Sequence, residues 1–131
     1  MHKFRTAVET RGFEDIGELF AEDVVFHSPI AHKPYQGRET LTWILRAVSK
    51  IFEDFEYERE IGSEAEGDAA LVFRARVGEL TIEGCDFLHT NSEGLIDDFT
   101  VMLRPLKAVH AFEARMRVEF EAVMKEMAGE G

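Results

Sequence analysis

The chain has a single cysteine, Cys85, so no internal disulfide framework can hold it together. One free thiol fits a reducing compartment, and a cytoplasmic location is the expectation. Basic residues are scarce: 15 Lys and Arg stand against 26 Asp and Glu, a net charge of −11. That balance disfavours nucleic acid and anionic membrane surfaces, since both attract basic patches. No apolar run approaches the ~20 residues of a membrane span. The opening Met1-His2-Lys3-Phe4-Arg5 is followed by acidic residues and lacks the apolar core of a signal peptide. Repeats, linkers and low-complexity segments are also missing. His-x-His or His-x₃-His spacing is absent, so neither a metal nor another cofactor is expected.

What is present suits one α+β domain over residues 1–131, 45% of them hydrophobic. Eleven Phe suggest aromatic lining of a core or cavity. The clearest pattern lies between Ala69 and Arg104. Ala69–Val77, Leu80–Thr90 and Leu95–Arg104 alternate as strands, and Gly78-Glu79 suits a two-residue hairpin turn. That turn predicts the pairs Val77–Leu80, Ala75–Ile82, Phe73–Gly84 and Leu71–Asp86. One face is then apolar except for Asp86, while the other sets Arg74 opposite Glu83. A four-residue Asn91–Gly94 loop would put Thr90 opposite Leu95 and Asp86 opposite Phe99, with Val101 and Leu103 also inward.

The rest reads in order. Phe4, Ala7 and Val8, then Phe13, Ile16, Leu19 and Phe20, predict a helical pair over residues 2–21 broken at Gly12. Asp23–Pro29 reads as a strand with Phe26 and Ser28 inward and His27 outward. Ile30–Gly37 is a loop, and Arg38–Glu53 a helix with Trp43 beside its apolar stripe. Phe55, Tyr57, Arg59 and Ile61 alternate with three Glu as a strand with one wet face. Gly62–Asp68 is a turn. Pro105 suits the first position of a last helix, striped by Val109, Phe112, Met116, Phe120, Val123 and Met127 before a frayed tail, Ala128–Gly131. Helices on one face of a mostly antiparallel, curled sheet make a cone whose mouth is a natural ligand site.

This pattern resembles the nuclear transport factor 2-like superfamily, and its SnoaL-like branch in particular. The residues that carry the resemblance are Ala21-Glu22-Asp23-Val24-Val25-Phe26-His27-Ser28-Pro29, Pro34-Tyr35-Gln36-Gly37-Arg38-Glu39, Glu83-Gly84-Cys85-Asp86 and Gly94-Leu95-Ile96-Asp97-Asp98-Phe99. It implies a cystatin-like α+β cone and leaves activity open, because isomerases, cyclases, dehydratases, epoxide hydrolases and non-catalytic modules share that fold. Ketosteroid isomerase, a member of the superfamily, uses a Tyr donor, an Asp base before a Pro, and a second Asp kept neutral so that it too can donate. Laid onto this chain without gaps, those places fall at Phe4, Ser28 and Asp86. Only the neutral Asp is retained.

Asp86 is therefore the candidate catalytic acid, a carboxyl on an apolar wall with its pKa raised by desolvation. The bland alternative is a buried Asp that is satisfied by its neighbours. Phe4, Phe26, Ser28, Tyr35, Trp43, Phe73, Phe99 and Val101 are candidate ligand contacts, although aromatic residues at such positions also serve as core filler. A Ser28–His–Asp nucleophile is disfavoured because His27 should face away. Val72, Arg74, Cys85, Phe87, Thr100 and Met102 form a mixed outer sheet face that predicts a homodimer. Two functions stay open: an acid–base isomerase, cyclase or dehydratase acting on a small apolar carbonyl compound, or a non-catalytic binding or assembly module.

Overall fold

The structure, a computed structural model, describes residues 1–12 and 15–129, with 123–129 described by backbone alone. Its elements are α1 (Lys3–Glu9), a 3₁₀ turn (Ile16–Leu19), β1 (Phe20–His27), β2 (Tyr35–Gln36), α2 (Arg38–Ile51), β3 (Glu53–Gly62), β4 (Asp68–Val77), β5 (Leu80–Thr90), β6 (Ile96–Arg104) and α3 (Leu106–Gly129). The strands form one open sheet in the order β2-β1-β6-β5-β4-β3. Among the described residues only the β1–β6 pairing is parallel. The helices pack on the concave face, giving the α+β cone.

The β4–β5 hairpin has the register its turn predicts. Gly78 takes the left-handed φ of 61° that the first turn position needs, and Leu71 stands opposite Asp86. Arg74 does face Glu83. Their charges go elsewhere, however: Arg74 pairs with Glu58 at 3.5 Å, and Glu83 with Arg104.

Three expectations about strands need correction. Asp86 faces Val101, not Phe99, and Thr90 faces Ile96, not Leu95. A bulge after His89 and an Asn91 turn cause the shift: Asn91 Oδ1 accepts from the Glu93 and Leu95 amides at 2.9 and 3.0 Å, keeping Leu95 in the loop. The shift is by two residues, so Phe99, Val101 and Leu103 still point inward. In β3 a bulge between Tyr57 and Arg59 breaks the expected alternation. Tyr57 stays inward, but Ile61 is turned out and exposed, and Glu60 comes opposite Leu71. Finally, Tyr35–Gln36 is not loop but a two-residue strand on the edge of β1.

The helix boundaries differ as well. The helical pair is a seven-residue α1 and a 3₁₀ turn. Arg11, at φ 58°, ends α1, and the wholly buried Phe20 already belongs to β1, opposite Ile96. Phe13 lies outside the described residues. β1 stops at His27 rather than Pro29. α2 stops at Ile51 because Phe52 is extended and Glu53 pairs with Arg76. Pro105 precedes α3 and accepts from Val109 N at 3.0 Å. α3 buries Ala108, Phe112 and Met116; the side chains of Val123 and Met127 are outside the described part. Ala128 and Gly129 are helical, not frayed, and residues 130–131 are not described. No helix among the described residues is long and apolar enough to cross a membrane.

Candidate active site

The inner face of β5 presents Ile82, Gly84, Asp86 and Leu88. Gly84 is needed there. A Cβ would overlap the Phe73 ring and stand 2.7 Å from Leu103 Cδ2, so its absence lets Phe73 lie across the strand beside Asp86.

Sheet and helices enclose a cavity of about 510 Å³, the size of a small-molecule site. Its sheet wall is Phe73, Asp86, Phe99, Val101 and Leu103, joined by Phe55 and Tyr57 from β3 and by Phe26 and Ser28 near the end of β1. Phe4 and Val8 of α1 close one side, and Ile44, Leu45, Val48 and Phe52 another. Phe112 and Met116 come from α3. The rings support one another. Phe4 and Phe26 stand edge-on to Phe99 at 5.1 and 5.4 Å, and Phe55 stacks on Phe73 at 4.8 Å. Polar lining also comes from Glu9, Arg11, Asp54 and Glu56.

Asp86 is 5% exposed. The Tyr57 hydroxyl donates to its Oδ2 at 3.3 Å, a long bond from which the O–H can rotate toward a ligand oxygen while the ring stays in place. No other described side chain bonds the carboxyl. Burial pushes Asp86 from 3.8 up to about 7, and the Tyr57 bond pulls weakly the other way. Burial first, then the charge on Asp86, raise the Tyr57 phenol far above its usual range. Near neutral pH the pair therefore has two forms. Protonated Asp86 can donate, and ionised Asp86 accepts from Tyr57. A buried acid that titrates near the working pH is suited to proton transfer.

Phe4, Phe26, Ser28, Phe73, Phe99 and Val101 all lie on the cavity wall. Tyr35 and Trp43 do not. Tyr35 stacks behind Phe26 with ring centres 6.3 Å apart, because β2 holds it at the sheet edge. Trp43 sits beside Gly17, Glu18 and Arg46 on the outer side of α2, about 100° round the helix from the inward Ile44. His27 faces out, its Nε2 3.4 Å from Asp98 Oδ2, and His32 is exposed in its loop. Ser28 Oγ accepts from Ile30 N at 3.2 Å. Among the described residues no three side chains converge as a metal site. The residue that sequence reasoning missed is Tyr57. Its phase matched Phe55, but a wet-faced edge strand gave no sign of a partner for the phenol.

The family model for the SnoaL-like domain matches residues 1–99. The chain belongs to the SnoaL-like family. It thereby falls in the nuclear transport factor 2-like superfamily. Among curated proteins nothing matches. Among solved structures, this SnoaL-like chain is 34% identical to a steroid delta-isomerase from Pseudomonas aeruginosa, with a TM-score of 0.88 over 93% of this chain and 89% of that one. It is 37% identical to an uncharacterised bacterial protein with a cystatin-like fold from Silicibacter pomeroyi DSS-3, with a TM-score of 0.81 over 90% and 85%. A de novo designed protein with a curved β-sheet also matches, at 15% identity and a TM-score of 0.69 over 93% and 99%. A SnoaL-like cone can therefore be built without any evolved activity, and function has to be argued from the cavity.

Proposed function

We propose that this protein binds a small, flat, apolar molecule bearing a carbonyl or enol oxygen, and that Asp86 with Tyr57 moves a proton at that oxygen in isomerase-type chemistry. One observation carries the reading: a carboxyl that titrates near neutral pH, with a phenol against it, in a largely aromatic and aliphatic cavity. Protonated Asp86 donates to the ligand oxygen, which stabilises charge that develops there. The adjacent carbon gives its proton to solvent water as the oxygen is held, and the reverse transfer from water to carbon, with Asp86 regaining the oxygen proton, completes the exchange while Tyr57 supports the oxygen. The 34% identity to a protein described as a steroid delta-isomerase supports the class of chemistry.

A second reading, binding without turnover, has its own support. At the place where the steroid isomerase resemblance puts a base stands Ser28, its hydroxyl engaged by Ile30 N, and Phe4 replaces the phenol of α1. We also propose that two copies pair through the outer sheet face, where Phe87 and Met102 are exposed at 42% and 59% between charged rows that include Arg104–Glu83 and His89–Asp97.

Calorimetry with 2-naphthol, a flat aromatic alcohol that mimics an enol, tests the binding half of the proposal. Binding to the parent that is weakened at least about tenfold in Asp86→Asn supports it, and equal affinity refutes it. Deuterium wash-in beside the carbonyl of a bicyclic enone separates the two readings. Exchange that depends on Asp86 favours the isomerase; no exchange from a bound enone leaves only binding.

A further inference from the structure

The β3 bulge that follows the inward Tyr57 brings Glu60 to the inner side. There Glu60 receives the start of α1. Its Oε2 accepts from His2 N at 2.9 Å, and its Oε1 from Arg5 Nη1 at 3.3 Å. Glu9, one turn along α1, accepts from Arg5 Nε at 3.2 Å. Held from both sides, the guanidinium lies over the Tyr57 ring, 5.6 Å from its centre. The Tyr57 hydroxyl in turn reaches Asp86. A continuous column of Glu60, Arg5, Tyr57 and Asp86 thus leads to the cavity wall.

We infer that Arg5 is a positioning residue for the cavity acid, keeping the Tyr57 phenol on Asp86 and offsetting the Glu9 and Glu60 carboxylates that hold its guanidinium. The inference rests on the reading that the Asp86–Tyr57 pair is the working end of the cavity. The physical reasons are two. A cation over the ring face is attracted to the ring quadrupole and fixes the ring. It also neutralises carboxylates whose field would disfavour a further negative charge on Asp86. The charged groups that face the column are Glu9 on α1, Glu60 on β3 and Asp86 on β5. His2 and Glu64 lie along the same edge, 3.9 Å from each other. Glu9 acts on the phenol against Arg5, so loss of the guanidinium leaves the two acids uncompensated.

Carbon-detected NMR titration of the Asp86 carboxyl in the ligand-free protein tests this. Arg5→Met keeps the apolar stem and should raise the midpoint by about half a pH unit. Arg5→Lys keeps the charge and should recover most of that shift. Glu60→Gln should move the midpoint down. An unchanged midpoint in Arg5→Met, whatever happens to its melting temperature, overturns the inference. So does a lysine variant that behaves like the methionine one. If Arg5→Met does not fold, Glu60→Gln decides: a downward shift supports the inference, and no shift overturns it. Retained 2-naphthol affinity in Asp86→Asn would instead sink the functional reading and leave this charge balance standing.

Discussion

Replacing Asp86 by Asn should stabilise the protein at alkaline pH and do little at acid pH. The carboxyl titrates near 3.8 when exposed and near 7 in the fold. A raised folded value means that the native state keeps its proton where the unfolded chain has lost it. The group's contribution is therefore fully present below ~pH 4 and drains away as pH rises through ~7. Each unit is worth ~1.4 kcal/mol, so the full loss by pH 8 is at most ~4 kcal/mol. Cavity water will share the solvation, which makes ~2–4 kcal/mol a fairer range. Asn has the same shape, carries no charge, and its amide oxygen can still accept from Tyr57. Urea unfolding of both proteins at pH 4 and pH 8 measures the gap. The variant should gain ~2–4 kcal/mol on the parent between those values. A gap that does not change with pH would refute the reasoning, because it would mean that Asp86 ionises as freely in the fold as in the open chain.

Other outcomes follow from the same geometry. Tyr57→Phe removes the one bond that favours ionised Asp86, so the Asp86 midpoint should rise in an NMR titration, with a stability loss of ~1 kcal/mol by urea unfolding. Gly84→Ala forces Phe73 into the cavity and should cost ~1–3 kcal/mol along with most 2-naphthol binding, measured by calorimetry. The proposed pairing through the outer sheet face predicts, by light scattering, a dimer for the parent and a monomer for Phe87→Asp, which places a charge in the exposed apolar band.

Much of the cone could be read from the residues because local rules agree with one another. Gly78 supplies the φ that the hairpin needs, and strict alternation on either side leaves a single register for β4 and β5, which puts Asp86 inward. The reading failed where a bulge interrupted the period. One bulge displaced Phe99 from Asp86 by two positions without changing its face. The other hid Glu60, since a uniform alternation through β3 would have put Ile61 inward in its place, while Tyr57, ahead of the bulge, kept its phase. In sequence Trp43 flanks the core stripe of α2, and only packing decides which flank faces the cavity. Tyr35 was placed by an edge pairing too short to leave a pattern. The chemistry was legible as one acid on an apolar wall, while alternation puts Tyr57 inward without showing that its hydroxyl, two strands away, meets that acid.

The central claim is that protonated Asp86 is what a ligand oxygen meets inside the cavity. Its most direct test is the dissociation constant of 2-naphthol between pH 5 and pH 8.5, in the parent and in Asp86→Asn. The account predicts tight binding below ~7 that weakens tenfold per pH unit above it in the parent, and a flat profile in the variant. Identical profiles for the two proteins would contradict it.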